Sequence, residues 1–190
     1  MRLFVAAELS DDMRRAVAAG GDDLRRRLGR RLTARWLPAE SLHITVRFIG
    51  DVPDDSSSEL IRAISAPLRL SPFEIRLGDC GIFPPSGPPR VIWMALAEGS
   101  TGLAALNREM NERLAPIGFE PERRPYAAHL TVARVKAVAR GSQADVRRIV
   151  LESVSLNATC RVARATIFRS LLSSKGARYE SLASCPFLYP

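Results

Sequence analysis

Lysine is almost missing from this chain. Of its 28 basic residues only Lys136 and Lys175 are lysines, so arginine carries nearly all of the positive charge. Histidine occurs twice and cysteine three times, at Cys80, Cys160 and Cys185. An odd number of widely spaced cysteines, with no CxxC pair, argues against a disulfide framework or a cysteine zinc site. Two histidines without an adjoining cluster of Asp, Glu or Cys fall short of a catalytic zinc set. No Walker A loop, GxGxxG, HExxH or GxSxG occurs, so nucleoside-triphosphate and cofactor chemistry lack support. Neither a metal nor a cofactor is expected. No apolar run approaches the roughly 18 residues of a bilayer span. The opening Met1-Arg2-Leu3-Phe4-Val5-Ala6-Ala7-Glu8 is apolar for too short a stretch to be a signal peptide, which makes the cytosol the expected location.

What is present is a chain of 190 residues with enough apolar content, 46%, for a packed core in one domain or in two small lobes sharing an interface. The net charge of +8 favours a polyanionic partner, nucleic acid first among them. Arginine forks suit phosphate. The run Arg25-Arg26-Arg27 with Arg30-Arg31 lies on an expected helix, where it is either a phosphate-facing patch or a solvated face.

The hydrophobic pattern alternates between strands and helices. Arg2 to Glu8 reads as a strand. Asp11 to Gly29 has helical spacing, with Met13, Val17, Leu24 and Leu28 on one side and Ser10 or Asp11 as cap. Strands are expected over Leu42–Ile49, Phe73–Leu77, Arg90–Leu96 and Ala128–Val135, and near Arg161–Arg169 and Tyr179–Ser184. Helices are expected from Pro53 through Ile64, over Thr101–Leu114 and over Ser142–Leu151, with a Pro-rich loop at Phe83–Pro89. Two stretches of this order match. Arg2 to His43 is 41 positions and Arg90 to His129 is 39; each histidine is followed 30 residues later by a further strand, at Phe73 and Thr159. The chain reads as one domain over 1–190 with duplicated halves centred on His43 and His129. Two such lobes facing each other leave a cleft, where ligand sites form.

The only two histidines share a pattern. Each lies in an apolar strand with threonine two positions on, in Leu42-His43-Ile44-Thr45-Val46-Arg47-Phe48 and Ala128-His129-Leu130-Thr131-Val132-Ala133-Arg134. The chain has only six threonines, so the double coincidence is specific. Strand alternation puts His43, Thr45 and Arg47 on one face and His129 with Thr131 on the other lobe's face. By the same alternation Phe48 points away from the histidine, and Arg134 has the wrong parity. One imidazole acting as base and one imidazolium acting as acid suit phosphodiester cleavage. The threonine hydroxyls can bind non-bridging oxygens, and Arg47 can add charge-assisted contacts. Trp36, Tyr126, Phe83 and Trp93 are candidates to stack a base.

Paired H-x-T-x motifs in a basic chain of this length resemble the 2H phosphoesterases. The opening Arg2-Leu3-Phe4-Val5-Ala6, the stretch Ser41 to Gly50, Gly81-Ile82-Phe83-Pro84 and His129 to Arg134 are similar to the LigT-type RNA 2′,3′-cyclic phosphodiesterases, also known as RNA 2′-5′ ligases. That family often has proline where this chain has Ala128. The resemblance implies an α+β, bilobal fold: two pseudo-symmetric lobes of mainly antiparallel sheet, helices outside, a central cleft. It implies metal-independent hydrolysis of an RNA 2′,3′-cyclic phosphate end to a 2′-phosphomonoester; a monomer is expected. It also implies that His43 is the proton donor and His129 the acceptor; the residues themselves put Thr45 and Thr131 beside the histidines and offer Arg47, Arg134, Tyr126, Phe83 and Trp36 as substrate contacts. Alternatives are the reverse 2′-5′ ligation, hydrolysis of a small cyclic nucleotide, and a non-catalytic module that binds RNA ends.

Overall fold

A computed structural model describes residues 1–153, 156–173 and 176–189; Lys175 lies outside the described residues. Nine strands form one continuous, curled sheet: β1 (Arg2–Glu8), β2 (Leu32–Trp36), β3 (His43–Asp51), β4 (Phe73–Phe83), β5 (Val91–Glu98), β6 (Leu130–Val138), β7 (Thr159–Val162), β8 (Arg164–Ser173) and β9 (Gly176–Pro186). The helices are α1 (Asp11–Leu28), α2 (Asp54–Ile64), α3 (Ser100–Leu114) and α4 (Gln143–Leu151). The expected elements are all present among these, and β2 is an addition. None of the helices is long and apolar enough to cross a membrane.

The strand order is β7-β4-β5-β6-β3-β1-β8-β9, with β2 paired to β6 from one side, and all named pairings are antiparallel. The fold is α+β and bilobal. One lobe is built on β3, β1, β8 and β9, the other on β6, β5, β4 and β7. The lobes are joined where β3 meets β6, through the single pair Ile44–Leu130. The order is symmetric about that joint, but the lobes interleave the chain. The strand from Phe73, which follows the first histidine strand in sequence, pairs with β5 in the second lobe, and β8 supplies the matching position beside β1.

The helices cover the convex side and form because their sequences leave one apolar face. In α1 the buried residues are Met13, Val17, Leu24 and Leu28, the four that the spacing picks out. Ser10 Oγ accepts from the Met13 amide at 3.3 Å, and Asp11, Asp12 and the terminal Arg25, Arg26 and Arg27 complement the helix dipole. That arginine run is engaged locally: Arg26 pairs with Asp23, and Arg27 donates to the Ile149 carbonyl. Leu24 and Leu28 meet Val146, Ile149 and Val150 of α4 over Ile82, Ile92 and Ala133 of the second lobe. The α3 residues Leu103, Leu106, Met110 and Leu114 belong to the larger cluster that also holds Ile44, Val46, Leu130 and Val132. Each such side chain taken from water contributes on the order of 1.5–3 kcal/mol.

Ile44 and Leu130 are both fully buried at the joint. Ile44→Ala is expected to lower stability by about 2–5 kcal/mol, read as a reduced midpoint in a urea titration. A midpoint within error of the parent would show that the joint is not a packed part of the core.

Candidate active site

On β3, His43 and Thr45 face the concave side, and Ile44 and Val46 are buried behind them. The alternation then breaks. Ala6 of β1 pairs with Thr45 and Val5 pairs with Arg47, so Val46 is an extra, bulged residue. A bulge re-aims every side chain beyond it. Arg47 therefore turns to the back and Phe48 turns into the cleft, the reverse of the alternating expectation. Arg47 is buried (5% exposed), donates to the Glu120 carbonyl and lies 3.5 Å from Glu122. It is not a cleft residue; it ties down the segment that leads to the second histidine.

The same device recurs on β6. Trp93 of β5 pairs with Thr131 and Ile92 pairs with Ala133, which leaves Val132 bulged. Val46 and Val132 each sit three residues after their histidine. Past this bulge Arg134 turns into the cleft, where it lies with His129 and Thr131. Its apparent wrong parity is thus removed, and Phe48 and Arg134 occupy equivalent positions in the two lobes.

Hydrogen bonds from distant parts of the chain hold the carbonyls that the bulges displace. The Tyr126 hydroxyl donates to the Thr45 carbonyl (3.0 Å), and Asn107 Nδ2 donates to the Val46 carbonyl (2.7 Å). The Leu37 amide donates to the Val132 carbonyl at 2.9 Å. Tyr126 is therefore a brace rather than a stacking surface; burial pushes its hydroxyl above the usual phenol range. Nothing in its motif signalled this, because its partner is a backbone atom 81 residues away.

The resulting cavity, about 550 Å³, is lined by both histidines and both threonines, by Arg2, Arg35 and Arg134, and by Phe4, Phe48, Phe83 and Tyr179. Trp36 is not among them. It pairs with Ala133 and packs beneath α1 beside Val17 and Gly21, so its neighbour Arg35 takes the cleft position, in register with Arg134. Phe83 does line the cleft: it stacks on Trp93 (4.7 Å, 15°) and meets the His129 ring edge-on at 5.4 Å. No local pattern marks Arg35 or Tyr179 as cleft residues, and alternation puts Phe48 on the other face; for Phe48 the offset it shares with Arg134 is the available signal.

The two imidazoles are held alike. His43 Nδ1 lies 2.9 Å from the Ser41 carbonyl, and His129 Nδ1 lies 2.8 Å from the Ala127 carbonyl, in each case the residue two positions earlier. A carbonyl only accepts, so Nδ1 carries the proton and Nε2 is left for proton transfer. His43 Nε2 is 3.2 Å from Thr45 Oγ1. Their surroundings differ. His43 lies under Phe4 (4.9 Å) and the edge of Tyr179 (5.0 Å). Burial lowers its pKa below the ordinary 6.5, against the pull of the Ser41 carbonyl, and Arg134, Arg14 and His129 lower it further. Among the described residues no group of three His, Cys, Asp or Glu side chains is arranged to hold a metal ion.

A solved structure from Thermus thermophilus superimposes with a TM-score of 0.81 at 25% identity, covering 100% of this chain and 99% of that one. The curled two-lobed sheet therefore defines a class already seen. The sequence profile of the 2′-5′ RNA ligase superfamily matches residues 6–172, and the chain belongs to that superfamily. A protein of Archaeoglobus fulgidus named RNA 2′,3′-cyclic phosphodiesterase is 31% identical over 182 residues, covering 96% of this chain and 98% of that protein. One of the same name from Geobacillus stearothermophilus is 29% identical over 187 residues, covering 97% of this chain. The chain spans 57% of that relative's length.

Two outcomes test this geometry. Tyr126→Phe leaves the Thr45 carbonyl without its donor and is expected to cost about 1–3 kcal/mol, measured by thermal unfolding. In an NMR titration the His43 ring is expected to titrate below 6.5. The unfolded chain binds that proton more tightly, so His43 removes stability as pH falls below 6.5, and the loss levels off below its folded-state pKa. A His43 midpoint above 6.5 would contradict the buried setting.

Proposed function

We propose that this chain hydrolyses the 2′,3′-cyclic phosphate at an RNA end to a 2′-phosphomonoester, using His43 and His129 as acid and base. The observation that carries the proposal is the pair of imidazoles on one cleft, each with Nδ1 fixed to a backbone carbonyl and Nε2 left for the reaction. The names of the relatives support the choice of substrate, and the cleft's arginines suit its charge.

In this reading neutral His129 takes a proton from water as its oxygen attacks phosphorus. The bond from phosphorus to the ribose 3′ oxygen breaks, and His43, as imidazolium, protonates that oxygen. Thr45 and Thr131 donate to the non-bridging oxygens, where negative charge grows, and Arg134 adds a charged donor. The low proton affinity of His43 in the free chain makes it a strong acid but a sparsely protonated one near neutrality. The bound phosphate's negative charge offsets this by favouring the imidazolium. Positioned proton transfer of this kind supplies roughly 10²–10⁴-fold per group. The superfamily's description favours a second reading on the same site: a ribose 5′ hydroxyl replaces water and a 2′-5′ linkage forms. The histidines keep their roles in this joining, His129 taking the proton of the 5′ hydroxyl and His43 protonating the ribose 3′ oxygen, and they exchange roles only in the reverse cleavage. The proposal takes the chain as a cytosolic monomer; the three free cysteines suit a reducing compartment.

His43→Ala and His129→Ala are each expected to lower kcat on a cyclic-phosphate-ended RNA by about 10²-fold or more, with the melting curve retained. On a diester whose leaving group needs no proton, the His43 variant alone is expected to recover. Recovery of the His129 variant instead would reverse the two roles, and full activity in either variant on RNA would sink the proposal. If His43 is the acid, the alkaline limb of kcat/KM lies below 6.5 and that of kcat moves higher.

A further inference from the structure

Beside the cleft lies a groove of about 630 Å³ that shares Val91 and Arg134 with it. Its other charged residues are Arg90 and Lys136, and no Asp or Glu among the described residues lines it. Neither cation has an ion-pair partner among the described residues, and both stand together with Arg134 in one groove. An unneutralised cluster of this kind favours an anion.

The groove is built rather than incidental. The Val135 amide donates to the Arg90 carbonyl and the Arg90 amide donates to the Phe83 carbonyl, both at 2.8 Å. Arg147 holds the adjoining Pro-rich loop through the Pro84 (3.0 Å) and Gly87 (2.6 Å) carbonyls. Arg134 and Lys136 are two positions apart on β6, and Lys136 is the extra residue where β6 bulges against β2, between Val135 (paired with Ala34) and Ala137 (paired with Thr33); both line the groove. The two cations therefore stand one after the other along the groove, where a phosphate backbone laid beside β6 would meet both. The first lobe has no counterpart. Counting from each histidine, Phe48 stands where Arg134 does, and Gly50 stands where Lys136 does. The cationic track therefore leaves the pseudo-symmetric cleft on one side only.

We infer that this groove is a second phosphate subsite, which holds the backbone upstream of the cyclic end and makes an oligonucleotide, rather than a cyclic mononucleotide, the preferred substrate. The inference rests on the phosphodiesterase reading. It also gives the substrate a direction: the terminal phosphate lies between the histidines, and the preceding nucleotides run along β6 over Arg134 and Lys136, with Arg90 alongside.

The test compares adenosine 2′,3′-cyclic phosphate with a short RNA ending in a 2′,3′-cyclic phosphate, in the parent chain and in an Arg90→Gln/Lys136→Gln variant. The parent is expected to favour the RNA in kcat/KM. The variant is expected to retain the mononucleotide rate and the parent kcat on RNA. Its KM for RNA is expected to rise about 10-fold, and the log–log salt dependence to flatten by about 1.4, or roughly 0.7 for each lost phosphate contact. Equal losses on both substrates, or an RNA KM and salt slope unchanged from the parent, would overturn the subsite. Turnover of neither substrate by the parent would overturn the phosphodiesterase reading instead. Fluorescence anisotropy with the same RNA then decides the subsite separately: weaker, less salt-sensitive binding by the variant supports it, and equal binding overturns it.

Discussion

The site depends on one backbone pairing. Ile44 of β3 and Leu130 of β6 meet across the joint between the lobes, and each directly follows a histidine. Both are fully buried on the same apolar side. Because side chains alternate along a strand, burying this pair forces the flanking His43 and Thr45, and His129 and Thr131, onto the opposite, concave side. An antiparallel pair of equivalent residues is also a local twofold. The hydrophobic core thus sets the symmetry of the cleft, and a slip of one residue at the joint would turn the imidazole of the slipped strand into the core.

Alternation carries the site through Thr45 and Thr131 and then fails at the same place in both strands. Up to that point the sequence was sufficient: the residue types, their matched positions and the face they share are all local properties. The bulges at Val46 and Val132 are not local. Their displaced carbonyls are satisfied by Asn107 on α3 and by the Leu37 amide, and the neighbouring Thr45 carbonyl by Tyr126. No periodicity in the motif encodes such partners. Alternation alone therefore puts Arg47 in the cleft and Phe48 at the back, the reverse of their places in the fold. Arg134 stood apart as a parity problem for the same reason. Likewise β2 is too short and mixed in polarity to stand out, so its Trp36 was placed by composition and Arg35 was overlooked.

The fold was legible in its elements more than in their partners. The α1 spacing named its four buried residues because a helix face is written within 18 residues. The exchange of β4 and β8 between the lobes is a tertiary choice. It has a mechanical consequence, since each histidine strand is backed by chain from the other half. Asn107 on α3 braces β3, and Arg47 on β3 fixes the carbonyl of Glu120 in the run before His129. A displacement of either motif strand must therefore disturb the support of the other.

Symmetry alone would give two interchangeable imidazoles, which cannot divide an acid's work from a base's. The surroundings break the tie. Phe4 and Tyr179 enclose His43, while Phe83 and Trp93 meet His129 by their rings in a more open setting. Arg134, in the second lobe, further disfavours the charged form of His43. In the free chain, then, the setting of His43 disfavours its charged form. A phosphate placed between the lobes changes the balance, because its charge falls beside both His43 and Arg134 and neutralises the repulsion between them. If His43 is the acid proposed above, binding of the anion also favours its loading with a proton. Under the proposed mechanism, the anion's arrival thus raises the share of His43 that carries the proton the leaving oxygen needs.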